Sequence, residues 1–501
     1  MGFMNNLKSE SNLEKNLTEN CAVAYRTSGD EFLDFNFRIT DLRSCEEKEI
    51  ISAFKKLFYT DKILSIKYLF YVGDIREGLG ERHIFRSCIS WLAKTNPNYA
   101  KKVLHLISEY SRWDILVSLI TEKPVKNEVR QIIYNQLTED ETNRRLNKPV
   151  SLLAKWLPSE NTSSYETRKL ANVVIKELGM TPRNYRKTLS GLRSYLNVVE
   201  VKMSNKSWDE IDYESVPSKA NLIYSEAFMR NDSERRREYL RSLIRGEVKI
   251  NASVTQPHEI VCKYTRGGWG MEVGKYDETL EQLWKALPTN TVGKTLVVRD
   301  GSGSMTQRVT GKITALDVAT ALSVYCAEQC KGEFYNKFIT FSHRPKLVDL
   351  SGCDTLHDKL DIAYDECEIS DTNIYKTMEL VLNTAVNNNM KQDELPDTIL
   401  IISDMQFNGT RFTLDESLFD EIKKEFETCG YKLPKICFWN LCSYDSKTIP
   451  LQQNEYGLIL CSGFSINNLK MFMSGEVDPL KVLLETINSE RYEKVEKALV
   501  A

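Results

Sequence analysis

The chain has 501 residues, 42% of them hydrophobic and 27% charged, with a formal net charge of −3. One core rarely grows past about 250–300 residues, so at least two domains are expected. No apolar run approaches the roughly 18 residues that suggest a membrane span. The opening "MGFMNNLKSESNLEKNL" lacks the apolar core of a secretion signal, and Asn6 stands where a myristoylation signal needs Ser or Thr. These features point to a cytoplasmic protein without membrane contact. The 12 cysteines are scattered, with no Cys-x-x-Cys pair, and read as reduced thiols that pack as small hydrophobes.

After a polar N-terminal segment (1–44), residues 45–290 carry apolar side chains at three- and four-residue spacing. The segments "EKEIISAFKKLFYT", "DKILSIKYLFYVGDI", "GERHIFRSCISWLAKT", "TRKLANVVIKELG" and "TPRNYRKTLSGLRSYLNVVE" are examples, separated by Gly, Pro, Asn or Asp. Short amphipathic helices with brief connections fit an all-α stack of hairpins, a HEAT-like solenoid or ring. From residue 291 to 501 the pattern changes. Near-continuous apolar runs, "GKTLVVRD", "EFYNKFITFS", "KLVDLSG", "DTILIISD", "KICFWNLCS" and "GLILCSGFS", alternate with helical segments. That is the signature of a doubly wound, mostly parallel α/β sheet of Rossmann-like type, followed by C-terminal helices. Charge divides along the same line: residues 51–290 hold 39 Lys and Arg against 29 Asp and Glu, whereas residues 291–501 hold 22 against 31. The basic part is where a polyanion would bind.

In such a sheet, ligands bind beyond the carboxyl ends of the strands, where "LVVRDGSGSM" and "ILIISDMQF" both place an aspartate. Three chemistries are conceivable for the first loop. Gly293-Lys294-Thr295 enters a strand and lacks its partner glycine, since position 288 is Pro288, so it is not a phosphate loop. Ser302 has neither flanking glycine of a nucleophile elbow, and neither His343 nor His357 stands in a clear general-base context. A divalent cation remains. Asp300, Ser302 and Ser304 offer hard oxygens from one turn, Asp404 adds a carboxylate from another strand end, and Thr372 in "SDTNIYKTM" adds a hydroxyl before a helix. Mg2+, or a related ion such as Mn2+, accepts such a set.

This pattern resembles the metal-ion-dependent adhesion site (MIDAS) of von Willebrand factor A domains. The resemblance implies Ser302, Ser304 and Thr372 as direct ligands, with Asp300 and Asp404 acting directly or through water. Two departures stand out: Ser370-Asp371 replaces the usual glycine pair, and Arg299 precedes the first aspartate, where it is placed to neutralise Asp300 when no metal is bound. The helical part, through "YVGDIREGLGERHIFRSCISWLA", "YSRWDILVSL", "LLAKWLPSENT", "GMTPRNYRKTLSGLRSYLNVVE" and "PHEIV", resembles Ro-type proteins. Those join a helical TROVE-like ring that binds small noncoding RNA to a von Willebrand factor A domain.

For RNA contact, "TPRNYRKTLSGLRSYL" groups Arg183, Arg186, Lys187 and Arg193 around Tyr185 and Tyr195, aromatics that are expected to stack on unpaired bases. Lys155 is read as a lone cation facing a channel and suited to a phosphate. "NDSERRREYLRSLIR" interleaves acids with its arginines and reads as a solvated face. "DIREGLGERHIFR" reads as an inter-helix turn held by ion pairs. The expected function is non-enzymatic binding of small noncoding or misfolded RNA, with a metal site that takes a carboxylate from a protein partner. The alternative is a metal-dependent protein scaffold without RNA. Adhesion-type sites supply too few carboxylates for two-metal hydrolysis.

Overall fold

The computed structural model describes residues 15–17, 23–25, 28–252, 254–265, 272–367, 372–405, 416–442, 458–469 and 478–500. The chain divides into two compact units, one of Met1–Glu46 with Ala252–Ile487 and the other of Glu47–Asn251 with Asn488–Ala501.

The second unit is all helical. Its helices include Glu47–Thr60, Lys62–Gly73, Arg82–Thr95, Lys126–Arg145, Tyr165–Glu177, Pro182–Tyr195, Ser218–Asn231 and Ser233–Ile244. Local sequence sets many of their starts: Asp61 accepts from Leu64 N, Ser164 from Thr167 N, and Thr181 from Asn184 N ahead of Pro182. Successive helices pack on one another, Glu47–Thr60 against both Lys62–Gly73 and Arg82–Thr95, and Ser218–Asn231 against Ser233–Ile244. The turn after Gly73 needs its glycines: a Cβ at Gly78 would overlap Tyr71 O, and Gly80 sits at φ +71°.

The end of the chain belongs to this helical unit. Tyr492, Val495 and Leu499 are buried in it. Arg491 donates to both oxygens of the fully buried Asp74, at 2.9 and 3.2 Å, and Tyr492 Oη donates to Asp74 Oδ2 at 3.2 Å. The ammonium of buried Lys67 meets Glu496 and Asn488. The "DIREG" turn is therefore tied by a residue more than 400 positions away.

The α/β unit is built on strands β1 (Thr295–Asp300), β2 (Lys337–Phe341), β3 (Leu347–Asp349), β4 (Thr398–Ser403), β5 (Lys435–Asn440) and β6 (Leu458–Ser462). Their order is β6-β5-β4-β1-β2-β3, all parallel except the edge strand β3. This is the expected doubly wound sheet, in the order that puts its crossover between β1 and β4. One face packs Val298, Ile339, Ile399, Ile401 and Phe438 against Ile374, Met378, Val381 and Ile422. The helix Ala315–Gln329, buried over most of its length, packs against β1, β2 and β4.

Packing divides the chain differently from the sequence boundaries at 44 and 290. The Glu31–Phe37 and Ile39–Leu42 helices join the α/β unit, where Asn440 Nδ2 donates to Phe37 O at 3.2 Å and Thr40 N to Ser462 Oγ at 3.3 Å. Pro257–Tyr264 packs on Ala315–Gln329, and residues 488–500 join the helical unit. Apolar periodicity identifies a helix but not the surface that its apolar face will cover.

Candidate functional site

The register that pairs Arg299 with Ile402 brings the carboxyl ends of β1 and β4 side by side, so Asp300 and Asp404 emerge from neighbouring strands. Both are fully buried. Asp300 accepts from Ser302 N through Oδ1 at 2.9 Å and from Ser403 Oγ through Oδ2 at 2.6 Å. Burial pushes its carboxyl above the ordinary value, against the opposing pull of the Ser403 and Ser302 hydrogen bonds. The Ser302 and Ser304 hydroxyls stand 3.0 Å apart in the 3-10 turn that opens at Gly303. Beyond β4, Met405 takes a left-handed φ of 62°, and its N–H donates to Ser403 Oγ at 3.0 Å. That conformation is uncommon for a side chain of this size and is found where surrounding structure over-determines it.

Thr372 is buried just ahead of the Ile374–Asn387 helix, whose cap Asn373 accepts from Lys376 N. This helix packs on the sheet face that carries Ile399 and Ile401 of β4. Ser370 and Asp371 lie outside the described residues. Taken together, two carboxylates and three hydroxyls would make an all-oxygen set of the kind that suits a hard cation such as Mg2+ or Mn2+ and not a thiophilic one. Among the described residues no group of three His, Cys, Asp or Glu side chains is placed to hold a metal, this edge with its two aspartates included. The serine that precedes Asp404 was not singled out in the sequence, yet it bonds Asp300 and fixes the turn at Met405.

Arg299 does not neutralise Asp300 as expected. Alternate strand residues point to opposite faces, and its guanidinium donates to Ala363 O and, at 3.1 Å, to Glu366 O. Its influence on the Asp300 carboxyl is the smallest of those acting there.

The basic helix divides into two sets of residues. Tyr185 is buried, with its hydroxyl on Pro158 O at 2.8 Å, so its ring offers no face to a base. Arg193 is committed to Ala154 O, Ser159 Oγ and Leu157 O at 2.8, 2.8 and 2.7 Å. Both belong to the packing of the helix, because positions 185, 189, 192 and 193 turn toward the preceding loop. Arg183, Arg186 and Lys187 face outward, and Arg186 pairs with Glu160. Among the described residues no ion pair engages Arg183 or Lys187. Lys155 is partly exposed beside Glu200, 3.9 Å away. Exposed Arg145 and Lys148 lie at the neighbouring helix end, where Tyr195 Oη donates to Lys148 O. The solvated face expected for "SERRREYLRSLIR" holds except at Arg236, which is fully buried within 5.0–5.3 Å of the Tyr213, Phe228 and Tyr239 rings and donates to Asn221 at 2.9 Å.

No helix among the described residues is long and apolar enough to cross a membrane. The family model "Domain of unknown function (DUF2828)" matches residues 18–111 and 127–291, and "Domain of unknown function (DUF7788)" matches residues 294–499. "Uncharacterized protein L728" of Acanthamoeba polyphaga mimivirus is 32% identical over 511 residues, covering 94% of this chain and 86% of its own. The crystal structure of the Deinococcus radiodurans RO (RSR) protein is similar over 87% of this chain and 92% of that one, at 14% identity and a TM-score of 0.45. With one family model spanning more than half of its length, and a relative matched almost end to end, the chain belongs to the DUF2828 family.

Proposed function

We propose that this protein binds RNA through the outer cations of its helical unit and holds a divalent cation at the β1–β4 edge of its α/β unit. The carrying observation is the division of charge between the units. The helical unit contains 39 Lys and Arg against 29 Asp and Glu, while the α/β unit contains 28 against 41. Arg183, Lys187, Arg145 and Lys148 contribute exposed positive charge to the helical unit. Contacts of this kind go to phosphates and carry little sequence information, which suits small noncoding or misfolded RNA, the ligand class of the Ro-type proteins that the helical motifs resemble.

At the second site Asp300, Ser302, Ser304, Thr372 and Asp404 would hold Mg2+ or Mn2+. The bound ion would supply a coordination position for an acidic side chain of a protein partner. Nothing in this arrangement asks for catalysis: one turn, one carboxylate and one hydroxyl from three loops make an adhesive site.

The test is RNA affinity as a function of salt, measured by fluorescence anisotropy with a structured small RNA. Affinity should fall steeply as salt rises, and the double variant Arg183→Glu/Lys187→Glu should lose about tenfold with an unchanged melting temperature. Binding that ignores both salt and the double substitution would remove RNA from the proposal. The metal-dependent protein scaffold would then be the better reading, if melting still responds to Mg2+.

A further inference from the structure

We infer that Arg299 is a positioning residue for the cation site, locking the helix end that feeds the Thr372 loop to the strand that carries Asp300. The inference rests on reading those oxygens as a cation site. It begins from a residue type out of place. Between Val298 and Asp300, on a central parallel strand, a guanidinium is fully buried. Apolar side chains of similar volume usually fill such places at far lower desolvation cost.

Among the described residues no ion pair engages Arg299. Its donors reach two main-chain carbonyls, Ala363 O and Glu366 O, and the guanidinium carbon lies 5.0 Å from the Phe338 ring centroid. Both carbonyls belong to the end of the Leu356–Asp365 helix, where the last C=O groups lack intrahelical partners and the helix dipole is negative. A planar fork of donors can hold two such carbonyls at a fixed spacing, which an ammonium cannot.

The position of this clamp gives it a role. Glu366 begins the short connection that leads to Thr372, and Arg299 is the immediate neighbour of Asp300. One side chain therefore joins the strand that carries Asp300 to the helix end that lies six residues ahead of Thr372. A cation that requires both loops at once senses how firmly they are held, as metals sense the groups that orient their ligands.

The experiment uses the full chain with Arg299→Met and Arg299→Lys, and Mg2+ alone as the probe. Calorimetric titration and melting with and without Mg2+ are combined with amide hydrogen exchange over residues 366–373. The expected result for Arg299→Met is Mg2+ affinity lower by about tenfold, a smaller Mg2+-induced rise in melting temperature, and faster exchange over 366–373 without metal. Arg299→Lys, which keeps the charge and part of the donor set, should fall between and carries the test if the methionine variant does not fold. A variant that melts lower by the same amount with and without Mg2+, at unchanged affinity, overturns the inference and leaves Arg299 a packing residue. If the unsubstituted chain ignores Mg2+, the cation reading fails by itself, and unaltered exchange over 366–373 then overturns the clamp as well.

Discussion

Asp74 in the helical unit and Asp300 in the α/β unit are both carboxylates with no solvent exposure, and they are handled in opposite ways. Asp74 is met by the Arg491 guanidinium through both oxygens, with Tyr492 as a third donor. Asp300 receives one hydroxyl and one backbone N–H, and among the described residues no ion pair reaches it. A buried charge neutralised from within holds the fold together. One surrounded only by neutral donors is left with a carboxyl pushed upward by burial, which is the state the proposed cation would relieve.

The sharpest way to break this contrast is to remove the two carboxylates separately. Asp74→Ala leaves Arg491 without its partner and should cost about 3–5 kcal/mol in denaturant unfolding, as should deletion of residues 488–501. Next in size is Arg193→Ala, which abandons two carbonyls and a serine hydroxyl and should cost about 2–3 kcal/mol, with RNA affinity per folded molecule unchanged. The Arg183→Glu/Lys187→Glu pair should do the reverse, moving stability by less than about 0.5 kcal/mol while weakening RNA binding.

The smallest effect on stability is expected at Asp300. Asp300→Asn should change the metal-free protein by no more than about 1 kcal/mol and should abolish any stabilisation by Mg2+ in thermal melts. The sign of the pH dependence follows from burial. The folded-state carboxyl sits above its ordinary value of 3.8, so its stabilising contribution is full below that pH and is lost as pH rises through the folded value. The asparagine variant should lack this slope, and Mg2+ should oppose it in the unsubstituted protein. A loss at Asp300→Asn as large as that at Asp74→Ala would erase the distinction between the two carboxylates.

Much of the α/β unit was legible because its determinants are local. Each of the six apolar runs is a strand of the sheet, and an aspartate after a buried run lies at a carboxyl edge wherever the strand is placed. Side-chain direction in the helical unit is not local in this way. Tyr185, Arg193 and Arg236 occur in segments as basic and aromatic as an RNA-binding face would be, yet they point inward. A three- or four-residue spacing says which residues share a face without saying whether that face meets solvent, a neighbouring loop or the core. Arg299 shows a related effect: adjacency in sequence suggests a pair with Asp300, but the pleat sends the two side chains to opposite sides.

The sequence by itself determined the class of each half, the order of strands and helices, the division of charge and the oxygen-bearing loops, because hydrophobic period, capping residues and composition act over a few positions. Tertiary structure alone decided that Arg491 neutralises Asp74, that Ser403 holds Asp300, that Arg236 is enclosed by rings and that residues 488–500 join the helical unit. These pairings join residues up to 417 positions apart. They depend on which apolar faces cover one another, a property of the assembled core that no local pattern encodes.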